Sequence, residues 1–119
     1  MDQDKVHQRA QRAQALLASG SLPAALEAGT LPLTADMTLS EIVVLGLWAQ
    51  GVRRFVGIFV HGSTAIGDVL RVYDAAGLVK MYAVRHENAA VHAATALRWI
   101  TGEKAAVVKS IGQGALHAL

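Results

Sequence analysis

The sequence contains no cysteine and only two prolines, and charged residues make up 17% of it. Without cysteine, disulfide bonds and thiolate metal sites are excluded, and a reducing cytoplasm is compatible. The formal net charge is +2, and Lys and Arg are scattered, so the sequence does not predict a nucleic-acid-binding surface. No apolar run is long enough to span a bilayer, and the first residues do not resemble a signal peptide. We therefore expect a cytoplasmic protein that binds neither membrane nor nucleic acid.

Apolar side chains are abundant, at 53% of residues, and are sufficient for the core of one domain or of part of one. Residues 1–37 form a separate region in this reading. Apolar spacing predicts an amphipathic helix over 3–18, and Ser21 followed by proline predicts a short helix over 23–28. Residues 29–36 are predicted to be a linker. We interpret this region as a helical arm that docks on another surface, with a frayed terminal helix as the alternative.

From residue 38 onwards, the pattern alternates between helices and strands. Thr38 and Glu41 have the spacing of a capping box at the start of a helix, and Trp48 and Trp99 are expected in the core. The predicted helices are 38–50, 65–76 and 87–101, and the predicted strands are 54–60, 79–84 and 105–110. This order with short connections predicts an α/β fold, a parallel sheet flanked by helices. Because the pattern stops a few residues into a further helix, we expect 38–119 to be a partial α/β domain and the chain to be a fragment.

Three predicted turns follow the three strands, at the edge of a parallel sheet where α/β proteins bind ligands. Glu87 lies at one strand–helix junction, although a helix N-terminal charge is its simplest explanation. His61 and Gly62 follow the first strand. The last turn, Gly112-Gln113-Gly114, could also be an ordinary turn. A phosphate loop is the other alternative, and it is a weak one because the turn has only two glycines and no Lys follows it.

The histidines near Glu87 do not predict a metal site. His86 and His92 are six residues apart and would lie on different faces of a helix, so with Glu87 they do not make a ligand set. We expect these two histidines to orient neighbours or to pack. His7 and His117 are given no role.

Several motifs in their order resemble a known family. They are Gln50-Gly51-Val52, Arg85-His86-Glu87-Asn88-Ala89-Ala90, Thr101-Gly102 and Ser110-Ile111-Gly112-Gln113-Gly114-Ala115. Together they resemble the N-terminal, pyrimidine-binding domain of thiamine-diphosphate-dependent enzymes of the acetolactate synthase and 2-oxo-acid decarboxylase superfamily. The resemblance covers residues 38–119. The turns at 58–62 and 110–115 look most like the cyclic dione hydrolase branch, whose enzymes cleave carbon–carbon bonds in ring diketones.

The resemblance implies roles for the turn residues. Glu87 matches the cofactor-activating glutamate, which would hydrogen-bond nitrogen N1′ of the aminopyrimidine and favour its imino tautomer. His61 would lie near the reactive end of the cofactor and could transfer a proton, although a loop histidine bonded to backbone is the alternative. The other positions implied to approach the cofactor are Gly62, Gly112, Gln113 and Gly114.

The resemblance also implies components that this chain lacks. Family enzymes hold the diphosphate and Mg²⁺ through a separate domain with a Gly-Asp-Gly…Asn motif, which is not in this sequence. The expected partners are further copies in a dimer or tetramer, or a second subunit, together with a small carbonyl substrate. Without that domain, we expect the chain alone to be inactive. Gln113 stands where the family usually has proline and Lys109 where it usually has a small or hydroxyl residue, departures that leave open altered chemistry, a decayed domain or a non-catalytic role. A lysine at the end of a buried strand is expected to need a carboxylate or water as its partner. The alternative is a non-catalytic module that drives oligomerisation.

Overall fold

The computed structural model describes residues 2–60, 62–109 and 111–119, and they form a parallel three-stranded sheet flanked by helices. The elements in chain order are α1 (Gln3–Ser19), α2 (Leu22–Glu27), α3 (Leu39–Ala49), β1 (Arg54–Gly57), α4 (Thr64–Ala75), β2 (Lys80–Ala83), α5 (Glu87–Thr101), β3 (Ala105–Val108) and α6 (Gln113–His117). This confirms the α/β class. Among the described residues, no helix is both long and apolar enough to cross a bilayer.

The strands are shorter than the apolar runs that predicted them. Strand order is β2-β1-β3, and Phe55 of β1 pairs with Met81 on one side and Ala106 on the other. The ladder ends where Val84 donates its amide to the Gly57 carbonyl and Ile58 donates to the Val108 carbonyl. Ile58, Phe59 and Val60 of the first run and Val84 of the second therefore belong to the turns that follow β1 and β2.

The two faces of the sheet are covered differently. Side chains alternate between faces along a strand, so Phe55 and its partners face one way and Val56 and its partners the other. The Phe55 face packs into the core with α1, α3 and α4, and Phe55 is 1% exposed. The other face meets α5, which packs on β1 and β3 and buries only its first turn, at Glu87 and Ala90.

The prediction that both tryptophans lie in the core is half wrong. Trp48 on α3 is 3% exposed, whereas Trp99 near the end of α5 is 83% exposed. Helix α5 is present as predicted, but other described elements do not cover the side on which Trp99 lies, so this side chain stays exposed.

The front helices join the core of their own chain. Ala13 and Leu16 of α1 and Ala25 of α2 are fully buried in the same cluster as Phe55, and α1 packs on α4. The predicted N-terminal helical arm is present, but its apolar stripe packs on the core of its own chain and not on a separate surface as expected. The division into regions 1–37 and 38–119 stays a prediction.

A buried ionic cluster connects α1 with α3 and α4. Glu41, whose side chain is 1% exposed, accepts two hydrogen bonds of 2.7 Å from Arg12 and one of 2.7 Å from the Tyr73 hydroxyl. Arg9 lies 3.4 Å from the same carboxylate. The predicted cap is confirmed, since Thr38 Oγ1 accepts from the Glu41 amide at 3.3 Å, but the Glu41 carboxylate binds α1 and α4 instead of reaching back to the cap.

Titration of this cluster follows from its contacts. Burial by itself raises the pKa of the Glu41 carboxyl, but the hydrogen bonds from Arg12 and Tyr73 and the charges of Arg12 and Arg9 outweigh it, so this pKa lies below its usual value. Burial, and then the hydrogen bond to Glu41, raise the pKa of Tyr73. Glu41 is therefore ionised and Tyr73 neutral at pH 7.

Candidate functional site

The carboxyl ends of the three strands meet at one edge of the sheet. The chain runs from central β1 to β2 on one side, and then crosses back to β3 on the other side of β1. The connections from β1 and to β3 thus lead in opposite directions, and α/β sheets bind ligands at the carboxyl ends of strands where this happens. The described residues that border this edge are 58–60, 62 and 63 after β1, 84–86 after β2, and 109, 111 and 112 after β3.

The turn after β1 is held by Ser63, which is 4% exposed. Its hydroxyl donates to the carbonyls of Ile58 and Val60, at 3.0 Å and 2.8 Å. A Cβ on Gly62, whose φ is +82°, would lie 2.8 Å from Cγ2 of Ile111, so this turn packs against the turn after β3. His61 lies outside the described residues, and its role in proton transfer stays a prediction.

Glu87 is the buried acid of this edge. It is the first residue of α5 and is 7% exposed, while His86 and Asn88 on either side are exposed. His86 is the N-cap, and its Nδ1 accepts from the Asn88 amide at 3.2 Å. Because a low local dielectric strengthens hydrogen bonds, a carboxylate in this position can bind a polar N–H group of a ligand strongly.

The turn after β3 exposes backbone at this edge of the sheet. Gly112 has φ +65° and ψ −132°, a conformation that disfavours any residue with a Cβ, and it caps α6 without a side-chain bond. A Cβ there would meet open space, so its backbone is accessible. Gln113 and Gly114 are the first residues of α6, and the side chain of Gln113 lies outside what the structure describes. Cofactor contact by Gly112, Gln113 and Gly114 stays a prediction.

Lys109, one of the departures from the family pattern, has a structural role. It is exposed, and its Nζ donates to the Ala115 carbonyl at 3.3 Å, so it stabilises the turn into α6. The expectation that it lies at the end of a buried strand and needs a carboxylate or water is wrong, because β3 is only partly buried and ends at Val108.

The structure assembles one residue group that sequence reasoning missed. His86, Glu87 and His117 place one ligand atom each within 4.8 Å of one another. The rings of His86 and His117 are stacked, with centroids 5.0 Å apart and planes at 14°. His92, the other histidine considered as a metal ligand from the sequence, is not in this group. Sequence spacing carried no signal for His117, because the packing of α6 on α5 brings it there.

Comparison with known proteins agrees with this fold. Residues 37–119 match the family described as thiamine pyrophosphate enzyme, N-terminal TPP binding domain. The chain is 40% identical over 80 residues to the acetolactate synthase isozyme 3 large subunit of Escherichia coli (strain K12), covering 67% of this chain and 13% of that protein. It is 34% identical over 85 residues to an uncharacterized 42.6 kDa protein in the isoamylase 3′ region of Pseudomonas amyloderamosa, covering 71% of this chain and 21% of that protein.

No solved structure matches the chain significantly. The chain spans about an eighth of the length of the first relative and about a fifth of the length of the second. The family match covers more than half of the chain and contains all three strands and Glu87. The chain therefore belongs to the thiamine pyrophosphate enzymes, and residues 37–119 are part of their N-terminal cofactor-binding domain.

Proposed function

We propose that this chain is the pyrimidine-binding part of an enzyme that cleaves or joins carbon–carbon bonds of 2-oxo acids or diketones with thiamine diphosphate. The observation that carries the proposal is the buried carboxylate of Glu87 at the carboxyl edge of the sheet. Family membership supports the cofactor, and the acetolactate synthase relative supports the class of substrate.

The described residues fit the pyrimidine end of this cofactor. Glu87 supplies a buried oxygen acceptor on a helix start, and the Gly112 backbone faces open space. Helix α5 holds the Glu87 backbone in place, so its carboxylate is positioned to hydrogen-bond ring nitrogen N1′ and to control which tautomer of the ring forms. When bound, the cofactor supplies the carbon nucleophile and the electron sink, and the protein supplies orientation and tautomer control.

The rest of the site would come from outside this chain. Because the sequence lacks the Gly-Asp-Gly…Asn motif with which family enzymes hold them, we assign the diphosphate and Mg²⁺ to another domain or subunit. We further propose a homo-oligomer, a dimer or tetramer, in which the cofactor contacts more than one domain. The expected location is the cytoplasm.

The test is the activity of the native full-length protein with thiamine diphosphate and Mg²⁺, assayed on pyruvate and on cyclic diketones. Glu87→Gln should reduce turnover by about two to four orders of magnitude, the scale of a lost acid–base group. Glu103→Gln is the matched control, because Glu103 is exposed and pairs with Arg54 away from this edge. Wild-type turnover in Glu87→Gln would show that another residue activates the cofactor.

A second function, a non-catalytic assembly module, is favoured by apolar side chains that are exposed on α5 and β2. Trp99 and Ile100 are each 83% exposed, and Tyr82 on edge strand β2 is 40% exposed. Exposed apolar groups beside an open sheet edge favour association. A stable assembly whose melting temperature does not rise on adding thiamine diphosphate would support this function and contradict the enzymatic one.

A further inference from the structure

We propose that His86, Glu87 and His117 bind a divalent transition metal of the zinc class. The ligand set is two imidazoles and one carboxylate, and the three ligand atoms already lie within 4.8 Å of one another. This goes beyond the proposed function, since it concerns a different ligand and does not depend on thiamine.

The ligand atoms are close together, but the two rings must turn, because a metal lies in the plane of each imidazole that binds it and the rings of His86 and His117 are now stacked at 14°. Bonds of 2.0–2.1 Å in a tetrahedral zinc site place ligand atoms about 3.3 Å apart. The three atoms must therefore approach by roughly 1.5 Å at most, from their limit of 4.8 Å. Glu87 is buried and His86 and His117 are exposed, so the two imidazoles can turn towards a carboxylate that stays in place.

The donor types select the metal. Imidazole nitrogen suits Zn²⁺, Co²⁺ and Ni²⁺, whereas Mg²⁺ prefers oxygen ligands and keeps its waters. Three protein ligands leave a fourth tetrahedral position for water or an exogenous ligand. A cation there would occupy the Glu87 carboxylate, so the metal and the aminopyrimidine would compete for this residue.

Binding at His86 has a second, local consequence. His86 Nδ1 now accepts the Asn88 amide, so that nitrogen carries no proton and a neutral ring is protonated on Nε2. A metal on Nδ1 replaces this acceptor, and a metal on Nε2 moves the proton to Nδ1. Either choice removes the capping bond, and the Asn88 amide resonance should therefore shift on metal binding.

The test is a calorimetric Zn²⁺ titration of the native full-length protein without thiamine diphosphate, and the same titration of His117→Ala and Glu87→Gln. Losing an outer-shell partner alone costs about 10–100-fold in metal affinity, so losing a ligand should weaken one Zn²⁺ site at least about tenfold. His92→Ala, an exposed histidine on the same helix, is the matched control and should bind as wild type does. Excess Mg²⁺ should not compete.

Two outcomes would overturn the proposal. The first is wild-type Zn²⁺ affinity in every site of His117→Ala. The second is a loss of affinity in His92→Ala as large as the loss in His117→Ala. Circular dichroism of each variant checks that it is folded, which is expected because both histidines are exposed. Since the titration contains no thiamine, an inactive enzyme with an intact metal site would remove the proposed function and leave this one standing.

Discussion

Replacing Glu41 by glutamine removes the buried negative charge that Arg9 and Arg12 share. The substitution keeps the shape of the side chain, so it tests the charge with little change in packing. Glu41 is 1% exposed, and the side chains of Arg9 and Arg12 are 7% and 14% exposed, so both guanidinium groups would be left buried without this counter-charge.

The expected loss is large because one partner of a buried ionic cluster remains. Breaking a buried pair in this way costs about 3–5 kcal/mol, and we expect about 3 kcal/mol because the amide keeps part of the hydrogen bonding. In urea, with an m value of about 1.5 kcal/mol/M, this lowers the unfolding midpoint by about 2 M. The assay is urea unfolding at pH 7 followed by circular dichroism.

The matched control is Glu103→Gln. Glu103 also binds an arginine, Arg54, with Nε and Oε2 at 3.0 Å, but these side chains are 43% and 32% exposed. An exposed pair contributes about 0–1 kcal/mol, so the control should shift the midpoint little. Equal midpoints for Glu41→Gln and Glu103→Gln would refute the reasoning that burial makes the Glu41 cluster matter.

The pH dependence gives a second check on the same variant. The pKa of Glu41 is lower in the folded protein than in the unfolded chain, so its contribution is complete above the unfolded value and is lost as pH falls through the folded value. Below about pH 4, the free energies of unfolding of wild type and Glu41→Gln should therefore converge. A gap that stays constant down to pH 2 would contradict an ionised Glu41.

Substitutions at three further positions test the sheet, the interior of α3 and the start of α3. Gly57→Ala should destabilise the protein by more than about 2 kcal/mol, because its Cβ would lie 1.8 Å from the Val108 carbonyl oxygen. In the control Gly46→Ala, the new Cβ on α3 meets open space, so this substitution should stabilise the protein by up to about 1 kcal/mol in the same urea assay. Thr38→Ala should cost about 1 kcal/mol in thermal or urea unfolding, since Thr38 Oγ1 accepts from the Glu41 amide and from Arg9; Thr38→Ser should restore most of it, and a neutral Thr38→Ala would exclude the cap as a stabilising contact.

Local signals were reliable wherever the structure depends on neighbours in sequence. Helix α5 begins and ends as predicted, at Glu87 and Thr101, because His86 caps its start and Gly102 takes the left-handed φ of +74° at its end. The strand–helix junction at Glu87 and the parallel α/β class follow from the same short-range patterns. A carboxylate at that junction could therefore be named as a candidate before any contact was known.

Side chains that meet from distant parts of the chain could not be assigned in this way. Glu41 binds Arg12 and Tyr73, which lie 29 and 32 positions away, and its apolar neighbours in α3 gave no hint of either partner. Trp99 has the composition of a core residue but lies on the outer side of α5. Which apolar stripe is covered depends on what packs against it, and a helix pattern is the same in both cases.

By itself, the sequence determined the order of helices and strands, the caps that begin and end them, and the position of Glu87 beside a sheet edge, because each depends on a few consecutive residues. Tertiary structure alone decided that α1 belongs to the core and that His117 lies beside His86 and Glu87. The crossover that returns the chain from β2 across β1 to β3 carries α6 back to the start of α5, and periodicity within one helix holds no information about that path.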